Sequence, residues 1–283
     1  MLYGIRPVMK PRIWGSLHPA GFPGPVGEIW WVFHDREGST ELLSADGGST
    51  TVAELVERGV LPGSPEYPVL LKTLHTADRL SVQVHPGGVG GHLFKEETWI
   101  VLAAEEGAWM MGGILPVERE VFLAAVEEGR AEALMRIEEL RTGDAWHIPP
   151  GTVHALGPGL TVLEVQSNCD VTYRLYDWGR TDVSGGPREL HLEEAADSVD
   201  WSRPVLPVRL GRDRQLDGGL LDASYSIVPV EGNASVLLTG GGILFMAEGG
   251  LILGEAMEAP ACVMADSGGG ELRIHGRGYL IEP

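Results

Sequence analysis

Three polar side chains stand two residues apart in Leu80-Ser81-Val82-Gln83-Val84-His85-Pro86. On a strand, Ser81, Gln83 and His85 share one face, while Leu80, Val82 and Val84 fill the other. A Gln oxygen and a neutral imidazole are ligands that a borderline divalent metal accepts, and so is the carboxylate of Glu97 in Lys95-Glu96-Glu97-Thr98-Trp99. The glycine-rich link Gly87-Gly88-Val89-Gly90-Gly91 lets the next strand return beside the first. Alternation favours Glu97 over Glu96, because Glu97 shares its face with Lys95 and Trp99. A fourth ligand is expected from Gly143-Asp144-Ala145-Trp146-His147-Ile148-Pro149-Pro150-Gly151-Thr152-Val153-His154, where a strand meets a Pro-Pro-Gly turn and leaves on a strand carrying His154. A histidine alone on a strand reads as an ordinary core or surface residue. The joint spacing is what makes a site, with His92 and His147 as the spare imidazoles nearest to it.

These two blocks resemble the paired metal motifs of the cupin barrels. The second meets the family spacing throughout: Gly143, Pro149, Gly151, His154. In the first, Gln83-Val84-His85 stands where most metal cupins have His-x-His, and that substitution is similar to the type I phosphomannose isomerases. Trp14-Gly15, Gly27-Glu28-Ile29-Trp30, Asp170-Val171-Thr172-Tyr173-Arg174 and Arg188-Glu189-Leu190-His191 extend the resemblance over roughly the first two thirds of the chain. It implies a zinc ion on Gln83, His85, Glu97 and His154, and an aldose-ketose isomerisation of mannose 6-phosphate through an enediolate. It also implies Arg174 and Lys95 as catalytic groups, and Ser81, Lys95, Glu164 and Arg180 as substrate contacts. The chain departs from the family at Phe94-Lys95-Glu96-Glu97, where Gly-Lys-Thr-Glu is usual, and in a shorter loop before it. Two other readings use the same residues: an iron cupin oxygenase, against which Gln83 speaks, and a sugar-binding or regulatory cupin without turnover.

The elements that must position these residues are mostly strands. Glu28–Phe33, Val69–His75, Glu97–Leu102, Leu160–Gln166 and Val171–Tyr176 carry apolar or alternating runs bounded by turn residues. Thr51–Gly59 has apolar residues at helical spacing between a Thr cap and a Gly stop. The charged amphipathic stretch between Val117 and Leu140 predicts two short helices. The expected architecture is mainly β: a cupin (jelly-roll) barrel over residues 1–200 with short helical insertions, then a smaller β domain over 201–283, for which a degenerate second barrel is one reading.

Composition narrows the partners. A formal charge of −19 argues against nucleic acid and against an anionic membrane surface, so an anionic sugar phosphate must be met by a local cluster of cations. Two cysteines, Cys169 and Cys262, make no disulfide framework. With no apolar leader or spanning run, a cytoplasmic protein is expected.

Overall fold

The computed structural model describes residues 1–22, 24–35, 38–63, 66–87, 94–181, 185–212, 224–253 and 255–283. Strands take 51% of it and helices 10%, so the chain is mainly β. It forms two compact units: Met9–Ile29 with Thr73–Leu210, and Met1–Val8 with Trp30–Lys72 and Gly211–Pro283. A single boundary at residue 200 describes neither unit completely, because strands distant in sequence close each one.

The strands that frame the candidate site are β1 (Val8–Pro11), β2 (Val26–Val32), β3 (Val69–Thr76), β4 (Val82–Val84), β5 (Glu97–Ala104), β6 (Trp109–Ile114), β7 (Met135–Glu139), β8 (Asp144–Ile148), β9 (His154–Leu156), β10 (Leu160–Ser167), β11 (Tyr173–Tyr176) and β12 (Val208–Arg212). One sheet runs β12-β8-β5-β10-β3-β2-β1 and the other β7-β6-β9-β4-β11. Alternation sorts their side chains. Trp99, Val101, Met110, Trp146, Ile148, Leu156, Leu160 and Val162 pack in one buried cluster. Val82, Val84, Met111, Ala155 and Leu175, on the opposite faces of their strands, pack in another. The first cluster is the space between the sheets. The second is the back of the five-stranded sheet, closed by Phe122 and Val126 of helix α1 (Arg119–Glu127) and Ala195 of α2 (Leu192–Asp197). Burying Phe122 alone contributes about 1.5–3 kcal/mol of hydrophobic free energy, which holds β4 and β9 from behind.

Two helices were expected between Val117 and Leu140. The first is α1; the second is a single 3-10 turn, Ala131–Leu134, after which Met135–Glu139 joins the sheet as β7. In the other unit, a sheet runs Ser226–Glu231, Gly270–Glu282, Ile243–Leu253, Ala261–Ala265, Leu2–Arg6, Glu41–Ser44 and Ser49–Thr51. The N-terminal strand therefore pairs with a segment some 260 positions later, Leu2 opposite Ala265. The expected helix forms at Val52–Glu57, where Thr51 and Glu54 make a capping box and Gly59 takes a φ of 68°.

Candidate metal centre

Register brings the predicted ligands together. Across the five-stranded sheet, Gly112, His154, Gln83 and Arg174 stand opposite one another in a single row. Directly opposed residues share a face, and the placement of Leu156 and Met110 shows that this face is the interior. On the seven-stranded sheet, Glu97 lies opposite Ile148 and Gln166, and Trp99 opposite Trp146 and Glu164. Glu97 therefore points across to the His154 row. His85 is brought in by the Pro-Pro-Gly turn: the N–H of Gly151 donates to the His85 carbonyl at 3.0 Å, with Gly151 at a φ of +77°. An L side chain is strained in that conformation, and a Cβ there would meet the Ser198 carbonyl oxygen at 3.0 Å.

Donor atoms of His85, Glu97 and His154 all lie within 4.8 Å of one another, and the three residues are buried. Nε2 of His85 is 2.9 Å from Oε1 of Glu97, and Nε2 of His154 is 3.7 Å from Oε2. Each imidazole uses its other nitrogen on a backbone carbonyl: His85 Nδ1 on Val171 at 3.0 Å, His154 Nδ1 on Thr152 at 2.8 Å. A carbonyl only accepts, so a proton on Nδ1 satisfies it in either ring and leaves Nε2 a lone pair to present inward. Burial keeps both rings neutral, drawing His85 down to about 3 and lowering His154 as well. Burial opposes ionisation of Glu97, but the positive charge beside it, that of the Lys95 ammonium, holds the carboxyl well below its ordinary range. Two neutral imidazoles and one carboxylate, all buried, form a ligand set suited to a divalent cation.

Gln83 completes the row. Its amide nitrogen is 3.2 Å from Nε2 of His154, and its oxygen accepts from Ser81 Oγ at 3.1 Å. Lys95 Nζ is 3.0 Å from Glu97 Oε1. Ser81 and Lys95 are both buried, each one polar contact away from an expected ligand. Glu164 is also interior, where its Oε2 accepts from the Trp99 indole at 3.0 Å, and the Trp99 ring meets the His154 ring edge-on at 5.4 Å. Arg174 follows Gln83 in the row. Among the described residues its guanidinium makes no hydrogen bond or ion pair, and Nε is buried. Burial and the charge of Arg188 lower its pKa from the usual arginine value. Arg180 differs, being tied to Asp177 at 2.6 Å, Asp78 at 3.3 Å and the Arg79 carbonyl at 2.5 Å.

The spare residues separate. His147 lies on the outer face of β8, with Nδ1 3.2 Å from Thr98 Oγ1 and Nε2 3.8 Å from Glu96. Glu96 and His147 thus belong to a second polar group behind the sheet. His92 lies outside the described residues. Sequence reasoning missed the carbonyls of Thr152 and Val171, which carry no side-chain signal, and missed Asp177, which binds Arg180 and Arg188 together. It also missed Gln166, although the alternation of β10 places that residue beside Glu164 on the interior face.

No protein-family model matches the chain. Among characterised proteins it is 34% identical over 221 residues to the mannose-6-phosphate isomerase ManA of Bacillus subtilis (strain 168), covering 72% of this chain and 69% of the relative. It is 32% identical over 212 residues to a mannose-6-phosphate isomerase of Streptococcus mutans, covering 70% and 67%. The crystal structure of the Bacillus subtilis mannose 6-phosphate isomerase superposes with a TM-score of 0.84 at 26% identity, over 99% of this chain and 98% of the other. A zinc-bound mannose 6-phosphate isomerase superposes at 0.72 with 17% identity over 99% of each chain, a likeness of fold.

Proposed function

The chain belongs to the mannose-6-phosphate isomerase family, and on that premise we propose that it interconverts mannose 6-phosphate and fructose 6-phosphate with a zinc ion held by Gln83, His85, Glu97 and His154. One observation carries the metal reading: among the described residues, His85 Nε2 and Glu97 Oε2 are buried without a hydrogen-bond partner. An unsatisfied buried acceptor costs about 1–3 kcal/mol, and a cation bound among these atoms removes that cost. Gln83 fits the set once its amide turns about its last bond, exchanging nitrogen and oxygen beside His154. The neutral Gln leaves a bound metal more electrophilic than a further carboxylate would.

Isomerisation removes a proton from the carbon next to a carbonyl and returns it to the neighbouring carbon, through an enediolate. When bound, zinc supplies Lewis acidity toward the sugar oxygens. Arg174 brings to the Gln83 end of the row a positive charge that makes no hydrogen bond or ion pair among the described residues, which suits it to stabilise the oxygen on which charge develops. Lys95, buried against Glu97, suits proton transfer at the reacting carbons better than a grip on the phosphate. Ser81 Oγ lies beside the Gln83 amide, where it donates to the oxygen and would accept from the nitrogen once the amide has turned, and Glu164 keeps an acidic group in the same interior. Arg180, though engaged by Asp177, remains a candidate for the phosphate end of the sugar.

The test strips the purified protein with a chelator, restores zinc, and follows conversion of mannose 6-phosphate and fructose 6-phosphate in both directions. Loss and zinc-dependent return of turnover, at about one ion per chain, are expected. A folded, zinc-loaded protein that converts neither sugar would leave the non-catalytic sugar-binding cupin as the reading.

A further inference from the structure

His85 has two tautomers to choose between, and only one leaves it a metal ligand. With the proton on Nδ1, the ring donates to Val171 and offers Nε2 as a lone pair. With the proton on Nε2, the ring would donate to Glu97 Oε1, only 2.9 Å away, and would take both ligand atoms out of use. The position of the Val171 carbonyl therefore decides whether the site is ready for metal.

That carbonyl belongs to an irregular segment between β10 and β11. Residues 168–172 lie in no strand, so no ladder holds them. Side chains at the end of β10 hold them instead. Gln166 is fully buried, and its amide nitrogen donates to the Ser167 carbonyl at 3.2 Å and to the Cys169 carbonyl at 2.7 Å. Ser167 Oγ accepts from the Glu96 N–H at 3.1 Å and donates to the Phe94 carbonyl at 3.3 Å. Gln166 is also the cross-strand neighbour of Glu97. Among the described residues its own Oε1 is buried without a partner, so the two bonds from its nitrogen are the contacts this amide makes.

We propose that Gln166 is a positioning residue of the metal centre: through the turn Ser167–Val171 it keeps the Val171 carbonyl on His85 Nδ1, and so keeps the proton off the nitrogen that faces Glu97. This rests on reading the cluster as a metal site and not on which sugar is turned over.

The experiment replaces Gln166 by Met, which has a similar shape and no donor. Zinc affinity is measured by chelator competition, and the histidine tautomers of the metal-free protein by nitrogen-15 NMR. Gln166→Met is expected to weaken zinc binding about 10- to 100-fold, the usual effect of losing an outer partner of a ligand. His85 should move from the Nδ1–H toward the Nε2–H form. His154 is the internal control: its Nδ1 is held by Thr152, two residues away, and should stay protonated. Ser167→Ala, which loosens the same turn from its other anchor, should move His85 in the same direction and serves if the Met variant fails to fold. A folded variant with wild-type affinity and an unchanged His85 tautomer would overturn the proposal. So would equal changes at His85 and His154, which would mark general loosening. Wild-type protein that takes up no zinc would instead overturn the reading of the site as a metal centre.

Discussion

Arg174 stands directly across from Gln83 in the antiparallel pair of β11 and β4, one place along the row from His154. Among the described residues the Arg174 guanidinium has no internal partner, so truncating it breaks no ion pair. We expect Arg174→Ala to lower kcat and kcat/KM together by about a hundredfold or more, with KM, zinc content and melting temperature little changed. Arg188→Ala should behave in the opposite way. It removes two contacts of 3.0 and 3.1 Å to buried Asp177, so it should cost about 1–3 kcal/mol of stability. Steady-state kinetics and thermal melts on both variants check the contrast. Wild-type turnover in folded, zinc-loaded Arg174→Ala would remove Arg174 from the chemistry.

Lys95 and Glu97 form a buried pair at 3.0 Å, each side chain 2% exposed. Removing the carboxylate leaves an ammonium in the interior, which costs about 3–5 kcal/mol; removing both charges costs much less. Urea denaturation of metal-free Glu97→Ala, Lys95→Met and the double variant should therefore be non-additive, the double being more stable than Glu97→Ala. Additive losses would mean that water already reaches the pair.

The juxtaposition of His85, Glu97 and His154, with Gln83 beside them, was legible in the sequence because its signals are local. Gln83 and His85 are two apart on one strand, and Gly151 supplies the turn that precedes His154. The facing of strands was not legible. Nothing near Leu2 announces Ala265 as its partner, since that pairing is decided by long-range closure of a sheet. The roles expected for Ser81 and Lys95 depended on orientation within the site. Strand parity puts both on the interior face, but only the distances show that they turn toward Gln83 and Glu97. The short stretch after Arg130 has helical composition, yet Met135 onward finds an edge of β6 to pair with, and tertiary pairing outweighs the propensity.

Stability of the metal-free protein should depend on pH through its buried His85 and His154 and its half-buried His75. His85, His154 and His75 all have pKa values lowered by burial. A lowered histidine pKa means that the unfolded chain takes up protons first. The stabilising contribution is therefore complete above about pH 6.5, the unfolded value, and is lost as pH falls toward the folded one, about 3 for His85. Each such histidine contributes at most about 1.4 kcal/mol of loss per pH unit in that window. Urea melts should show a plateau above pH 7 and a decline from pH 6.5 to 5.5, before most carboxylates titrate. A flat profile across that step would show that these rings protonate freely in the native state.

Trp99 joins two parts of the interior that the strand register alone does not connect. Its N–H donates to Glu164 at 3.0 Å, while its ring packs edge-on against His154. Trp99→Phe separates the two contacts, because Phe keeps an aromatic edge near the imidazole and deletes the donor. Glu164 is buried, and leaving a buried acceptor without its donor costs about 1–3 kcal/mol. We therefore expect Trp99→Phe to lower stability by that amount while zinc affinity changes by less than about threefold. Trp99→Ala also removes the ring, opens a cavity beside His154, and should cost about 3–5 kcal/mol. Because that cavity frees the His154 ring to move, zinc affinity should fall in Trp99→Ala and not in Trp99→Phe. Chelator competition and urea melts on the two variants separate the effects. If Trp99→Phe weakens zinc as much as Trp99→Ala does, the indole N–H and Glu164, rather than ring packing, hold His154 in place.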